Sequence, residues 1–309
     1  MEKSSFDHIL VTYVGGHGKY QVLNTIFMSI LYHASLTLIF IHVFAAHSPQ
    51  HRCKINGCEI TNQSKVTQNL FDHEWLSFAI PKEEKSTNFL GETNAFDSCK
   101  MFKRVDPEDL CSPEAFSENE TEYCHEFVYD NIYFDETLTT KLDLVCQNSN
   151  YKKLLGTILI LGLLFGSLIG GQIGDRFGRK KALFAAIIVM IPVTISAGHV
   201  HSYNTYAILH FITMFCLPVV WVNCTVYSNE MFGPKWRFLS TIYLNNPLGP
   251  YALTLIVYLN RTWTDIHLWC GISVGIVLPI FLVIPESPRW LAQNNFEDKA
   301  MEIDRKSVV

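Results

Sequence analysis

The sequence predicts an all-α integral membrane fold, with six spanning helices and a large cysteine-rich loop between the first and the second. Three observations predict it: six apolar stretches of bilayer length, a scarcity of charge, and cysteines gathered in one polar segment. A hydrocarbon core about 30 Å thick takes roughly 20 apolar residues at 1.5 Å per residue. Only 17% of the residues are charged and 49% are hydrophobic, whereas soluble domains carry about 25% charge. No stretch alternates with the dyad period of an outer-membrane barrel, so helices are the remaining way to span.

Residues 1–21 carry Glu2, Lys3, Asp7 and Lys19 without an apolar run, so they read as a polar N-terminal segment and not as a signal peptide. The first span is placed at 22–46 and the polar loop at 47–150. The remaining spans fall within 151–284, at Leu154–Gly174, Ala182–Val200, Tyr206–Tyr227, Leu239–Leu259 and Leu268–Ile284, followed by a tail at 285–309. Basic residues sort by face. Arg176, Arg179, Lys180 and Lys181 follow the second span, Lys235 and Arg237 the fourth, and Arg289, Lys299, Arg305 and Lys306 the sixth. The opposite short loops hold only Arg261, with Lys152 and Lys153 a mild exception. The positive-inside rule then puts both chain ends in the cytoplasm and the long loop outside.

Of the nine cysteines, Cys53, Cys58, Cys99, Cys111, Cys124 and Cys146 lie in that loop. An even number in an oxidising compartment reads as disulfides, and six cysteines allow 15 pairings that the sequence leaves open. The same compartment argues against zinc, and no Cys/His pair stands at ligand spacing, so no metal and no cofactor is expected. The sequons at Asn62 and Asn119 are expected to be glycosylated. Those at Asn223 and Asn260 are set aside, one inside the fourth span and one too near the bilayer. Cys216, Cys224 and Cys270 fall in spans and read as small packed hydrophobes.

The second span ends in Gly171-Gln172-Ile173-Gly174-Asp175-Arg176-Phe177-Gly178-Arg179-Lys180-Lys181. Glycine and charge alternate there, so a tight turn sets one carboxylate beside several cations, an arrangement that can latch a helix end. Gly162, Gly166, Gly170, Gly174 and Gly178 form a stripe at four-residue spacing suited to close helix packing. Glu230 to Arg237, and Pro285-Glu286-Ser287-Pro288-Arg289-Trp290, form further acid–base clusters at the same face. Pro192, Pro218, Pro247, Pro250 and Pro279 are expected to interrupt the third to sixth spans, most sharply at Asn245-Asn246-Pro247-Leu248-Gly249-Pro250.

These motifs, together with Phe6-Asp7, Pro49-Gln50-His51-Arg52-Cys53 and Leu142-Asp143-Leu144-Val145-Cys146, resemble the organic ion transporters of solute carrier family 22, in the major facilitator superfamily. The resemblance runs across residues 6–291. It implies the six-helix N-terminal bundle of the major facilitator fold. It also implies transport of organic cations, anions or carnitine-like zwitterions by alternating access, with substrate at the midplane. Asp175, Arg176, Arg179, Glu230, Arg237, Glu286 and Arg289 would then be cytoplasmic gate residues. Trp221 falls where the family carries a cavity tryptophan, whose face suits organic cations. The family's helix 4 arginine and glycine are replaced by His210 and Met214. His210 and Asn246 join Trp221 as cavity candidates. No second GxxxDRxGRK run follows, so the chain is expected to be truncated relative to the family, with the glycine stripe deprived of its partner.

The functional expectation is transport of small organic ions, with this chain carrying the N-terminal half. The alternative is a non-transporting membrane module that pairs with a full-length relative or displays its loop for binding. An enzyme is not expected: no nucleophile–base arrangement and no phosphate-cradling loop is present. The expected partners are the lipid bilayer and a small organic ion, with room for a membrane oligomer. With a net charge of −5, nucleic acid is not a partner. The expected location is the plasma membrane.

Overall fold

An apolar segment in lipid closes its backbone hydrogen bonds within itself, and the long hydrophobic runs here do so as helices. The computed structural model describes residues 18–59, 74–82, 96–105, 111–232, 235–244, 248–296 and 298–299. The chain divides into a helical unit, Met1–Ala46 with Lys153–Val309, and a loop unit, His47–Lys152.

The helical unit contains α1 (Lys19–Ala45), α2 (Ser149–Phe177), α3 (Arg179–Ala197), α4 (Tyr203–Met231), α5 (Arg237–Leu244), α6 (Leu248–Leu259), α7 (Trp263–Gly275) and α8 (Pro288–Gln293). Among the described residues, five stretches are long and apolar enough to cross a membrane: α1, α2, α3, α4 and Trp263–Val283. The fifth span, expected to be interrupted most sharply at Asn245–Pro250, is two helices, α5 and α6, on either side of residues 245–247. Proline there has no N–H to give and crowds the preceding turn. Pro192 and Pro218 correct the expectation of interrupted helices, because both lie inside continuous ones. Pro250 sits in the first turn of α6, where a missing N–H is harmless.

α4 packs against α1 and α3; α7 packs against α1 and α3; α6 lies on α1. The glycine stripe corrects another expectation, since its partner is within this chain. Gly162 faces Met214 and Phe211, Gly166 faces Phe215 and Pro218, Gly170 faces Val219, and Gly174 faces Asn223. The matched numbers rise together, so α2 and α4 run parallel. A Cβ at Gly166 would overlap the Phe215 carbonyl oxygen, so the two backbones touch where side chains would normally intervene. Asn223 closes the seam by donating Nδ2 to the Gly170 carbonyl at 3.0 Å and to that of Val219 at 2.7 Å.

The loop unit holds two antiparallel pairs. β1 (His51–Cys53) pairs with β4 (Phe127–Tyr129), aligning His51 with Tyr129, and β2 (Lys100–Arg104) pairs with β3 (Phe116–Tyr123). Two-stranded sheets alone are marginal in water. Here a small core of Cys53, Ile55, Leu76, Ile80, Phe116 and Cys124 supports them. Disulfides join Cys53–Cys124, Cys58–Cys111 and Cys99–Cys146, one of the 15 pairings the sequence allowed. Each closes a long loop and contributes about 2–4 kcal/mol by limiting the unfolded chain. Arg52, 2% exposed, pairs with Glu59 and lies over the Trp75 ring at 5.0 Å. Asn119 is exposed on β3; Asn62 lies outside the described residues.

Candidate functional site

The basic end of the helical unit is built around a one-residue turn. α2 stops at Phe177, α3 starts at Arg179, and Gly178 joins them with φ of 105°. That left-handed conformation favours glycine. Space requires it too, because a Cβ on Gly178 would strike the Glu286 carboxylate.

Glu286 sits there for an electrostatic reason. The first N–H groups of a helix lack partners and carry partial positive charge. Glu286 Oε1 accepts the Lys180 N–H at 2.9 Å and its neighbour Ser287's N–H at 3.1 Å. It therefore caps α3 from more than a hundred positions away in sequence. Lys180 Nζ reciprocates by donating to the Ile284 carbonyl at 2.6 Å.

Arg179 is the centre of the cluster. Its side chain, 7% exposed, pairs with Asp175 across the Gly178 turn and with Glu230 of α4 at 3.2 Å. Ser287 donates its hydroxyl to Glu230 Oε2 at 2.6 Å, and the Ser287 Oγ itself accepts the Trp290 N–H at 3.3 Å, capping α8. Trp290 Nε1 then donates to the Asp175 carbonyl at 2.7 Å. That carbonyl lies in the last turn of α2, where helix carbonyls lack partners. Tyr227 of α4 adds a hydrogen bond to the Pro285 carbonyl at 3.2 Å. The α2–α3 turn, α4 and the segment entering α8 are thus tied by alternating charge. Removing one member of a buried pair leaves the other uncompensated, at about 3–5 kcal/mol.

Of the seven gate candidates, the structure joins Asp175, Arg179, Glu230 and Glu286. Arg176 is exposed and lies over the Phe177 ring at 5.6 Å. Arg237 opens α5, where its carbonyl accepts from Ser240, and Arg289 is half-buried in α8. Sequence reasoning missed Ser287, Trp290, Lys180 and Tyr227 as members. Ser287 alone carried a signal, a serine one residue ahead of a proline, which marks a helix start.

Higher in the unit, Trp221 donates Nε1 to Ser35 Oγ at 3.0 Å and lies beside the Tyr32 ring, joining α4 to α1. His210 is buried between the rings of Tyr206 and His42. The two candidates are roughly 16 Å apart along α4, so they do not share one binding point. Asn246 lies outside the described residues. Nearer to Trp221, α1 presents Gln21, Thr25, Ser29, His33 and Thr37 at four-residue spacing, all buried. Ser29, His33 and Thr37 face a groove of about 370 Å³, closed by Gly249 of α6 and Ser273 of α7. Polar side chains inside a span are costly and mark functional faces. Their spacing was visible in the sequence and was passed over.

A bundle of spanning helices, tied by ion pairs at one end, defines a multi-pass membrane protein. The chain belongs to the sugar (and other) transporter family, whose sequence pattern matches residues 114–308. It is similar to solute carrier family 22 member 10 of Homo sapiens, at 28% identity over 96% of this chain and 55% of that protein. It is also similar to the beta-alanine transporter of Drosophila melanogaster, at 26% identity over 96% of this chain and 50% of the relative. Solute carrier family 22 member 16 of Bos taurus matches at 26%, over 94% and 52% respectively. The chain therefore spans about half the length of the curated relatives it matches. Among solved structures, the partially occluded inward-open xylose transporter XylE of E. coli matches 52% of this chain and 45% of its own, at 17% identity and a TM-score of 0.46.

Proposed function

We propose that this chain serves transmembrane transport of small organic ions by alternating access, as one six-span half of a two-bundle carrier. The observation that carries the reading is the Arg179–Glu230–Ser287 linkage, which fastens the α2–α3 turn to α4 and α8 at the basic end. A latch of opposite charges can hold one access state and release in the other, since its members are paired only while the helices stay together. By the positive-inside rule that end faces the cytoplasm, both chain termini lie inside, and the loop unit lies outside a plasma membrane. Gly178 gives the latch its tight turn, and Glu286 anchors α3 to the segment entering α8. Arg176, Arg237 and Arg289 add positive charge at the same face.

The groove beside α1 is the proposed substrate wall. Ser29, His33 and Thr37 offer hydrogen bonds along a mostly apolar groove; Trp221 lies outside its lining, against Ser35 and Tyr32. His210 packs between Tyr206 and His42, outside the lining of the groove. The chemistry of this family is transport, not catalysis. The test is uptake, into proteoliposomes holding this chain together with the second bundle of a relative, of a labelled organic cation, a labelled organic anion and carnitine, with Glu230→Gln as control. Saturable uptake of one class, lost in the variant, is expected. Uptake no greater than that of empty liposomes would end the proposal.

A second reading rests on the loop unit, which has its own core and three disulfides. A self-contained module suits display of a binding surface by a membrane anchor. Full uptake activity after its replacement by a short linker would count against that reading.

A further inference from the structure

The loop unit brings together three side chains that the sequence keeps far apart. Cys99 and Cys146 form a disulfide, and His51 Nε2 lies 3.7 Å from Cys146 Sγ. The three donor atoms all fall within 4.8 Å of one another. All three residues are half-buried, so solvent reaches the group. The Cys53–Cys124 disulfide is the contrast, for its cysteines are 0% and 8% exposed.

The imidazole is held for ligation. Its Nδ1 stands 3.3 Å from the Pro49 carbonyl. A carbonyl only accepts, so Nδ1 carries the proton and Nε2 directs its lone pair at the sulfur. A backbone carbonyl on the far nitrogen is the usual support of a metal-bound histidine. Phe127 and Tyr129 rings flank the imidazole at 5.8 and 5.9 Å and fix its plane. Cys146 itself adopts φ of 50°, an uncommon conformation for a non-glycine residue that places its sulfur opposite His51.

We propose that His51, Cys99 and Cys146 form a thiol-gated site for a zinc-class cation, closed while the disulfide stands and opened by its reduction. Two molecules of a small thiol supply two electrons and two protons; they leave joined as their own disulfide, while Cys99 and Cys146 become thiols. Binding of the divalent cation displaces both thiol protons to water. The site then holds two thiolates and one neutral imidazole around a dipositive ion, with no net charge. Zinc–sulfur and zinc–nitrogen distances of about 2.3 and 2.0–2.1 Å put tetrahedral sulfur and nitrogen ligands about 3.5 Å apart. The observed 3.7 Å between His51 and Cys146 already matches. Three protein ligands leave the fourth position to water.

Cobalt(II) is the probe, added to the full chain in detergent before and after reduction by a water-soluble phosphine. The phosphine takes oxygen from water and leaves no competing thiol. Reduced protein is expected to bind one cobalt with thiolate-to-metal charge-transfer absorption, displaced by zinc, and oxidised protein none. His51→Ala is expected to weaken binding by about tenfold or more, since even outer partners of a metal ligand are worth that much. Cys99→Ser with Cys146→Ser is expected to abolish it. The proposal is overturned by reduced protein without the absorption, by equal binding when oxidised, or by unchanged affinity in His51→Ala. That last variant keeps every cysteine, so it decides the matter even if the serine variant does not fold.

Discussion

Glu286 Oε1 lies 2.9 Å from the backbone nitrogen of Lys180, so one carboxylate both caps α3 and anchors the segment that enters α8. Glu286→Ala leaves that amide unpaired beside Gly178. The expected cost is about 1–3 kcal/mol, read as a lower midpoint in thermal unfolding in detergent. Glu286→Gln, which keeps an acceptor, should recover most of it; equal loss in both variants would show that the acceptor is not what matters.

Arg179 and Glu230 form a pair whose side chains are 7% and 11% exposed. Arg179→Gln alone is expected to destabilise by about 3–5 kcal/mol through the stranded Glu230 charge. Adding Glu230→Gln should restore part of that loss. A double-mutant cycle with a coupling energy near zero would show the pair to be independent.

The seam between α2 and α4 predicts a contrast between two glycines. Gly166→Ala drives a methyl into the Phe215 carbonyl and should cost about 1–3 kcal/mol. Gly156→Ala, whose new methyl meets nothing within 4 Å, should be neutral or stabilising by up to about 1 kcal/mol. Unfolding midpoints of the two variants give the comparison.

Burial pushes the pKa of His51 below its ordinary value, and burial together with Lys152 does the same for His47. A histidine whose folded pKa is depressed adds stability that is present above its unfolded value, near 6.5, and lost as pH falls below it. The loop unit should therefore unfold more readily at pH 5 than at pH 7.5. Replacing both histidines by asparagine should flatten that dependence, measured by hydrogen exchange in residues 47–152.

Asn119 stands exposed on β3, beside the Lys103–Glu120 ion pair. If the loop unit enters the secretory lumen, endoglycosidase treatment will raise gel mobility, and Asn119→Gln will remove that part of the shift. A glycan-free Asn119 in cells would argue for the opposite topology.

The first four spans were legible because each is about as long as lipid demands or longer, although polar first turns such as Lys19 and Tyr203–Thr205 hid where the helices begin. Asp175 and Arg179 were legible as a carboxylate and a cation set together by a tight turn. Ser287 and Trp290 were not, because their roles depend on α8 returning to α2, a contact 115 positions apart. The glycine stripe was readable but its partner was not. The receiving surface, Met214, Phe215 and Val219, is ordinary apolar sequence with no mark of docking. The disulfide partners were hidden for the same reason, since spacing along a chain does not report distance across a fold.

The interlocked backbones of α2 and α4 have a mechanical consequence. Four successive glycines seat α4 like teeth in a rack, and to disengage by one tooth the helices would have to slide about 6 Å together. Neither can roll on its neighbour without driving side chains through carbonyls. The two are therefore expected to move as one body, and probes on Ser167 and Thr225 should keep their separation however the rest of the protein rearranges.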